Sequence, residues 1–123
     1  MNKNYMTNLD VQCAEVGRKL AGISGIEEKT INAALAVLEE HGPYAMFLYL
    51  QARQTNVVAD INNKALNFLR GIFSDQVNGA NNILDAIKKL AENLDDLLFA
   101  RDLLRMALSY ARYHLKAKGG DTS

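Results

Sequence analysis

Apolar residues in this chain recur three and four positions apart, and a single proline, Pro43, interrupts them. That spacing places apolar side chains on one face of an α-helix, whereas a half-buried strand would alternate them at every second residue. With 123 residues, of which 49% are hydrophobic, the chain is long enough to bury its own core. The sequence therefore predicts one all-α domain over residues 1–123, a compact bundle of five or six helices, with residues 1–6 and 119–123 flexible.

Capping residues and one glycine mark the predicted helix ends. Thr7 with Asp10 three residues later resembles a capping box, and Asn93 is a typical N-cap. Gly42-Pro43 joins a helix-ending glycine to a proline suited to the first turn of the next helix. The segment after it, 43–54, is apolar all round and is predicted to be the buried centre of the domain. The predicted helices cover about 7–21, 26–41, 43–54, 57–73, 82–91 and 94–118.

Positive charge is concentrated in the last predicted helix, although the net charge of the chain is zero. At about 100° per residue, four of its cations fall within an arc of roughly 60° and extend about 22 Å along the axis. Such a row suits the phosphates of one nucleic-acid strand, while plain solvation and pairing with the helix dipole are the alternatives. We call these predicted RNA-binding residues the basic stripe: Arg101, Arg105, Arg112 and Lys116.

The same helix carries two apolar arcs. The first, which includes Leu104 and Leu108, is predicted to face the core. The second is rich in aromatic and methionine residues, which are enriched where proteins meet partners. A helix buried centrally among its neighbours would show the same pattern, so this alternative stays open. The second arc, predicted to be a protein interface, comprises Phe99, Leu103, Met106, Tyr110 and Tyr113.

The sequence contains no recognisable catalytic or metal-binding motif. His41 and His114 are the only histidines, and their positions do not form a metal-ligand spacing. Neighbouring carboxylates such as those of Glu39 and Glu40 diverge by about 100° on a helix, so they do not converge on one substrate atom. Cys13, the only cysteine, is predicted to be a small core residue. We therefore expect no enzyme activity, no catalytic residues, no metal, no cofactor and no small-molecule substrate.

Two features of the sequence bear on location. The polar segment 1–8 lacks the apolar stretch of a signal peptide. The longest apolar run, 44–50, is far shorter than the roughly 18 residues that a membrane-spanning helix requires. We expect a cytoplasmic protein that does not contact a membrane.

Two segments resemble a known family. Residues 34–50, ALAVLEEHGPYAMFLYL, resemble the apolar helix, glycine stop and second apolar helix of the small α-helical subunit of type III-B CRISPR effector complexes, the Cmr type. Residues 107–118, ALSYARYHLKAK, resemble the aromatic and basic last helix of that family. The resemblance covers most of residues 30–118 and is one of pattern, without invariant catalytic residues.

The resemblance implies a non-catalytic subunit for antiviral defence. Copies of such a subunit stack into an inner filament beside the backbone subunits, against the guide RNA and the target RNA, and connect to the large subunit. The small subunit of type III-A complexes has a related role and remains an alternative within the same class. A helical adaptor or regulatory bundle, which binds another protein and no nucleic acid, is the alternative from a different class.

Overall fold

A computed structural model describes the backbone of residues 2–53 and 55–122, and the side chains of residues 8–53 and 56–119. Over these residues the chain forms helices and no strand, so the predicted all-α class is confirmed. The five helices are α1 (Asn2–Ala21), α2 (Glu28–Arg53), α3 (Thr55–Ile72), α4 (Ile83–Leu90) and α5 (Leu94–Thr122).

A kink at Gly42 divides α2 into two segments, 28–41 and 43–53. The backbone of Gly42 has φ 89° and ψ 177°, a conformation that is essentially restricted to glycine. Pro43 then opens the second segment, where its missing N–H leaves no helical hydrogen bond unmade. The two helices predicted around Gly42-Pro43 are therefore present, joined end to end without a loop.

The start of α5 agrees with the prediction, whereas the start of α1 does not. The Asp96 N–H donates to Asn93 Oδ1 at 3.1 Å, which confirms Asn93 as the cap of α5. The predicted start at Thr7 is wrong, because α1 already begins at Asn2. The α5 helix also extends beyond its predicted end at residue 118, as far as Thr122. The flexibility of residues 1–6 and 119–123 stays a prediction.

The core is formed by one face of each helix. Cys13, Leu38 and Leu69 are completely buried, which confirms the predicted core faces of α1, α2 and α3. The prediction that segment 43–54 is buried on all sides is wrong for its described part. Its buried residues follow the one-sided spacing of 43, 46, 47 and 50, while Leu48 is 46% exposed.

The most extensive packing in the described structure is between α1 and α5, which lie side by side. The two helices approach each other closely at Gly17. A Cβ built on Gly17 would lie 2.5 Å from Tyr110 Cβ and 2.7 Å from the Ala107 carbonyl oxygen. The two backbones therefore meet at this point only because position 17 has no side chain.

Two hydrogen bonds join α1 to α5 on either side of this contact. The Tyr110 hydroxyl and Asp10 Oδ1 are 2.8 Å apart, and Lys118 Nζ donates to the Ala21 carbonyl oxygen at 3.0 Å. The second bond satisfies a carbonyl at the C-terminal end of α1, where the helix itself offers no donor. None of the described helices is both long enough and apolar enough to cross a membrane.

Candidate nucleic-acid interface

The basic stripe lies on the side of α5 that adjoins the first segment of α2. Arg105 Nε is 3.6 Å from Glu39 Oε1, and Lys116 Nζ is 2.7 Å from Glu28 Oε2. Since the later residue of α5 meets the earlier residue of α2, the two helices run in opposite directions. The core-facing arc of α5, with Leu104 and Leu108, is buried as predicted.

Acidic side chains partly neutralise the stripe. In addition to Glu39, Arg105 pairs with Asp102, whose Oδ1 lies 2.9 Å from the Arg105 Nη2 atom. Exposed ion pairs of this kind contribute about 0–1 kcal/mol each, because water and salt screen them. The pairs therefore orient the Arg105 and Lys116 side chains on the surface but leave them able to exchange a carboxylate for a phosphate.

The other two cations of the stripe have different surroundings. Arg101 and Arg112 are half-buried, and neither forms an ion pair with any side chain that the structure describes. The Arg112 guanidinium carbon lies 5.8 Å from the centre of the Tyr113 ring, within the distance of a cation–π contact. Arg112 therefore carries a charge that no described carboxylate offsets by direct contact.

A groove of about 620 Å³ follows the junction of α2 and α5. We call it the α2–α5 groove, and its walls combine two stripe cations with apolar and amide side chains. A second hollow of about 330 Å³ continues along α5 and is lined by Arg105, Met106, Ser109, Tyr110 and Tyr113. Tyr113 lines both and is 61% exposed. The α2–α5 groove is lined by Asn32, Leu35, Ala36, Glu39, Arg112, Tyr113 and Lys116.

The structure divides the second apolar arc between the core and the surface. Leu103 is only 2% exposed and accepts a hydrogen bond from the Cys13 thiol, so it belongs to the α1–α5 contact instead of a surface. Tyr110 is half-buried beside α1, and Met106 is half-buried as well. Phe99 packs edge to face on Phe73 with ring centres 5.6 Å apart. Of the five residues of the second arc, Tyr113 has the largest exposed fraction.

Two titratable groups at the α1–α5 contact have altered proton affinity. Burial, with a smaller effect of Asp10, raises the pKa of the Cys13 thiol to about 11. The hydrogen bond to Asp10 raises the pKa of Tyr110 above its usual value. Both groups therefore stay protonated at neutral pH, and Cys13 behaves as the core residue that the sequence predicts.

The α2 residues beside the stripe were not among the sequence-predicted site residues. Glu28, Asn32 and Glu39 fall on one face of α2 by their spacing, and Ala36 lies with them. Periodicity could show this shared face, but not that it would lie against α5. The pairing of Arg105 and Lys116 with α2 is therefore a property of the tertiary structure.

The described side chains contain no group of three or more His, Cys, Asp or Glu residues placed to hold a metal ion. Comparison of the chain with protein-family models, with curated proteins and with solved structures finds no match.

Proposed function

We propose that this chain is a non-catalytic, RNA-contacting small subunit of a type III CRISPR effector complex. Its partners would be copies of itself, the backbone and large subunits, the guide RNA and the target RNA. The resemblance of segments 34–50 and 107–118 to the small subunit of type III-B complexes is the reason for proposing this kind of assembly. The observation that carries the RNA contact is the open surface of α5, where Arg112 and Lys116 line the α2–α5 groove and Arg105 lines the adjoining hollow. The exposed ring of Tyr113 lines both.

The geometry of this surface suits contact with a nucleic-acid backbone. From Arg105 to Lys116 the stripe extends about 16 Å at the helical rise per residue, so its cations can meet several phosphates in succession. Contacts to phosphates position a strand without reading its sequence. A subunit that holds guides of differing sequence requires this kind of contact.

A charge-reversal experiment tests the proposal. The double substitution Arg105→Glu with Arg112→Glu should weaken RNA retention by the assembled complex in a salt-dependent manner. If both side chains neutralise phosphates of a single strand, the slope of log affinity against log salt should fall by roughly 1.4, at about 0.7 for each contact. Retention that is unchanged at low and moderate salt would contradict the assignment.

A matched control separates the position of the charges from their number. Lys19→Glu with Arg53→Glu changes the net charge equally at two exposed residues of α1 and α2. This control should leave the salt slope nearly unchanged. Circular dichroism and melting of both variants would show that the fold is retained.

Exposed apolar residues at the start of α5 favour the alternative of a protein-binding adaptor. Leu94 is 67% exposed, Leu98 43% and Phe99 38%. Exposed apolar clusters are typical of protein contacts. Purification of the tagged chain from its own cells discriminates between the classes: a protein partner without RNA or CRISPR subunits would support the adaptor.

A further inference from the structure

The α2–α5 groove combines the chemical groups that a nucleotide site requires. Tyr113 presents an exposed aromatic ring at one wall, and the cations of Arg112 and Lys116 lie beside it. Leu35 and Ala36 supply apolar lining from α2. The groove has a volume of about 620 Å³ and is widely open to solvent.

We propose that this groove binds one unpaired nucleotide of a single-stranded RNA, with its base stacked on Tyr113 and its phosphates held by Arg112 and Lys116. The inference rests on the proposed function and adds a site to it. It assigns Tyr113 to RNA, whereas the sequence predicted a protein contact for this residue.

Stacking explains why an exposed tyrosine suits this position. Every base has a π face, so an aromatic side chain accepts any base and preserves sequence tolerance. The guanidinium of Arg112 lies 5.8 Å from the centre of the same ring and adds a cation–π contribution. The base, the ring and the guanidinium can therefore form one stacked group beside the phosphates.

The charges around the groove are compatible with a phosphate. Arg112 has no ion pair with a described side chain, so it offers an unpaired cation. Glu39, which would otherwise repel a phosphate, lies 3.6 Å from Arg105. Lys116 pairs with Glu28 at 2.7 Å, so a phosphate must displace this exposed carboxylate to reach it. Asn32 supplies both a donor and an acceptor on the groove wall, which suits the polar edge of a base.

A second tyrosine–arginine pair on α2 gives a matched control. The Arg53 guanidinium lies 5.3 Å from the centre of the Tyr49 ring, beside a hollow of about 330 Å³ that Lys29 also lines. Tyr49 is half-buried and lines neither of the two hollows beside the basic stripe. If stacking is specific to the α2–α5 groove, Tyr49 should not contribute to it.

The test is RNA binding by the full chain at low salt, measured by fluorescence anisotropy with labelled single-stranded oligouridylate and with an abasic strand of the same length. Tyr113→Ser should weaken oligouridylate binding by roughly 5- to 150-fold, the usual range for loss of one stacked base. Tyr113→Phe and Tyr49→Ser should bind like the parent. On the abasic strand, Tyr113→Ser and the parent should bind equally.

Several results would overturn the inference. Equal oligouridylate binding by Tyr113→Ser and the parent excludes stacking, and an equal loss on the abasic strand indicates a general defect. Weakening by Tyr49→Ser alone places the base in the other hollow. Loss of a co-purifying protein in Tyr113→Ser, with RNA affinity unchanged, makes Tyr113 a protein contact.

The proposed function and the inference fail in different ways. If binding depends on Arg105 and Arg112 but not on Tyr113, the stacking site is wrong and the RNA-contacting subunit remains. If the parent binds no RNA at low salt and its assembly retains none, both are wrong.

Discussion

At the scale of single residues, the absence of a side chain at position 17 determines how closely α1 and α5 pack. A Cβ at this position would meet backbone atoms of Ala107 and Ala111 at 2.7 and 2.8 Å. Backbone atoms cannot rotate away as a flexible side chain can, so the helices themselves would have to separate. The sequence alone gives no sign of this contact, because Gly17 occupies an ordinary position in a helical pattern.

We expect Gly17→Ala to lower the free energy of unfolding by about 2 kcal/mol, within the range for overpacked sites. The loss should outweigh the gain of roughly 1 kcal/mol that alanine brings to a helix. Gly71→Ala is the matched control, since a Cβ on Gly71 meets nothing within 4 Å. That control should raise the free energy of unfolding by roughly 0.5–1 kcal/mol. Urea unfolding of both variants measures the effect, and a Gly17→Ala variant as stable as the parent would disprove the close contact.

Alkaline pH should destabilise the fold through Cys13 and Tyr110. The folded protein holds the Cys13 proton up to a pKa of about 11, against 9.0 without the protein environment. The unfolded chain therefore releases this proton first, and the stabilisation present below pH 9 is lost as the pH rises to about 11. The raised pKa of Tyr110 acts in the same direction. Urea midpoints across this range should fall less steeply for Cys13→Ala with Tyr110→Phe than for the parent, and parallel curves would contradict the assignment.

At the scale of elements, the kink at Gly42 lets one helix serve two purposes. Both segments bury residues in the core, such as Leu38 before the kink and Phe47 after it, and the first segment also places Glu28 and Glu39 beside α5. Without the kink, segment 43–53 would continue along the axis of segment 28–41. The break was readable from Gly42-Pro43 because the two residues meet opposite requirements of a helix end and a helix start.

We expect Gly42→Ala and Gly42→Asn to lower the free energy of unfolding by a similar amount, about 1–3 kcal/mol. Asparagine tolerates the left-handed helical region, but the ψ of 177° at Gly42 lies outside it. Thermal or urea unfolding measures both variants. If Gly42→Asn were as stable as the parent, the backbone at position 42 would differ from the one described.

The positions of the helices were largely predictable from the sequence, whereas the contacts between the helices were not. Apolar spacing located the core faces of α2 and α3, and the Asn93 cap marked the start of α5. The one-sided burial of segment 43–53 and the burial of Leu103 depended on which helices lie alongside. A pattern of 3.6 residues defines a face but not the helix that covers it. For the same reason, residue spacing could not show that Glu28 and Glu39 of α2 lie beside the basic stripe.

At the scale of the whole molecule, two carboxylates of α2 pair with two of the four cations of the basic stripe. A chain with zero net charge has no general attraction for RNA, so any affinity depends on where its cations are placed. The ion pairs of Arg105 and Lys116 hold those cations in place and also compete with phosphate. Under the proposed function, a phosphate of the RNA must displace these carboxylates to reach Arg105 and Lys116.

Removal of the competing carboxylates should strengthen RNA binding. We expect Glu28→Gln with Glu39→Gln to raise affinity for single-stranded RNA by roughly 2- to 30-fold at low salt, given that each of the two exposed pairs is worth about 0.2–1 kcal/mol. Glu40→Gln with Glu92→Gln changes the net charge equally at exposed residues outside the groove and serves as the control. Anisotropy titrations compare the variants, and equal affinities for the two pairs of substitutions would contradict a specific role of Glu28 and Glu39.

The most direct test of the central claim is protein–RNA crosslinking by ultraviolet light in the cells that make this protein. Mass spectrometry of the tagged chain would identify the peptides that carry RNA. The proposed function predicts crosslinked nucleotides within residues 101–116, together with co-purified subunits of an RNA-guided complex. Crosslinks confined to other parts of the chain, or recovery of a protein partner without RNA, would contradict it.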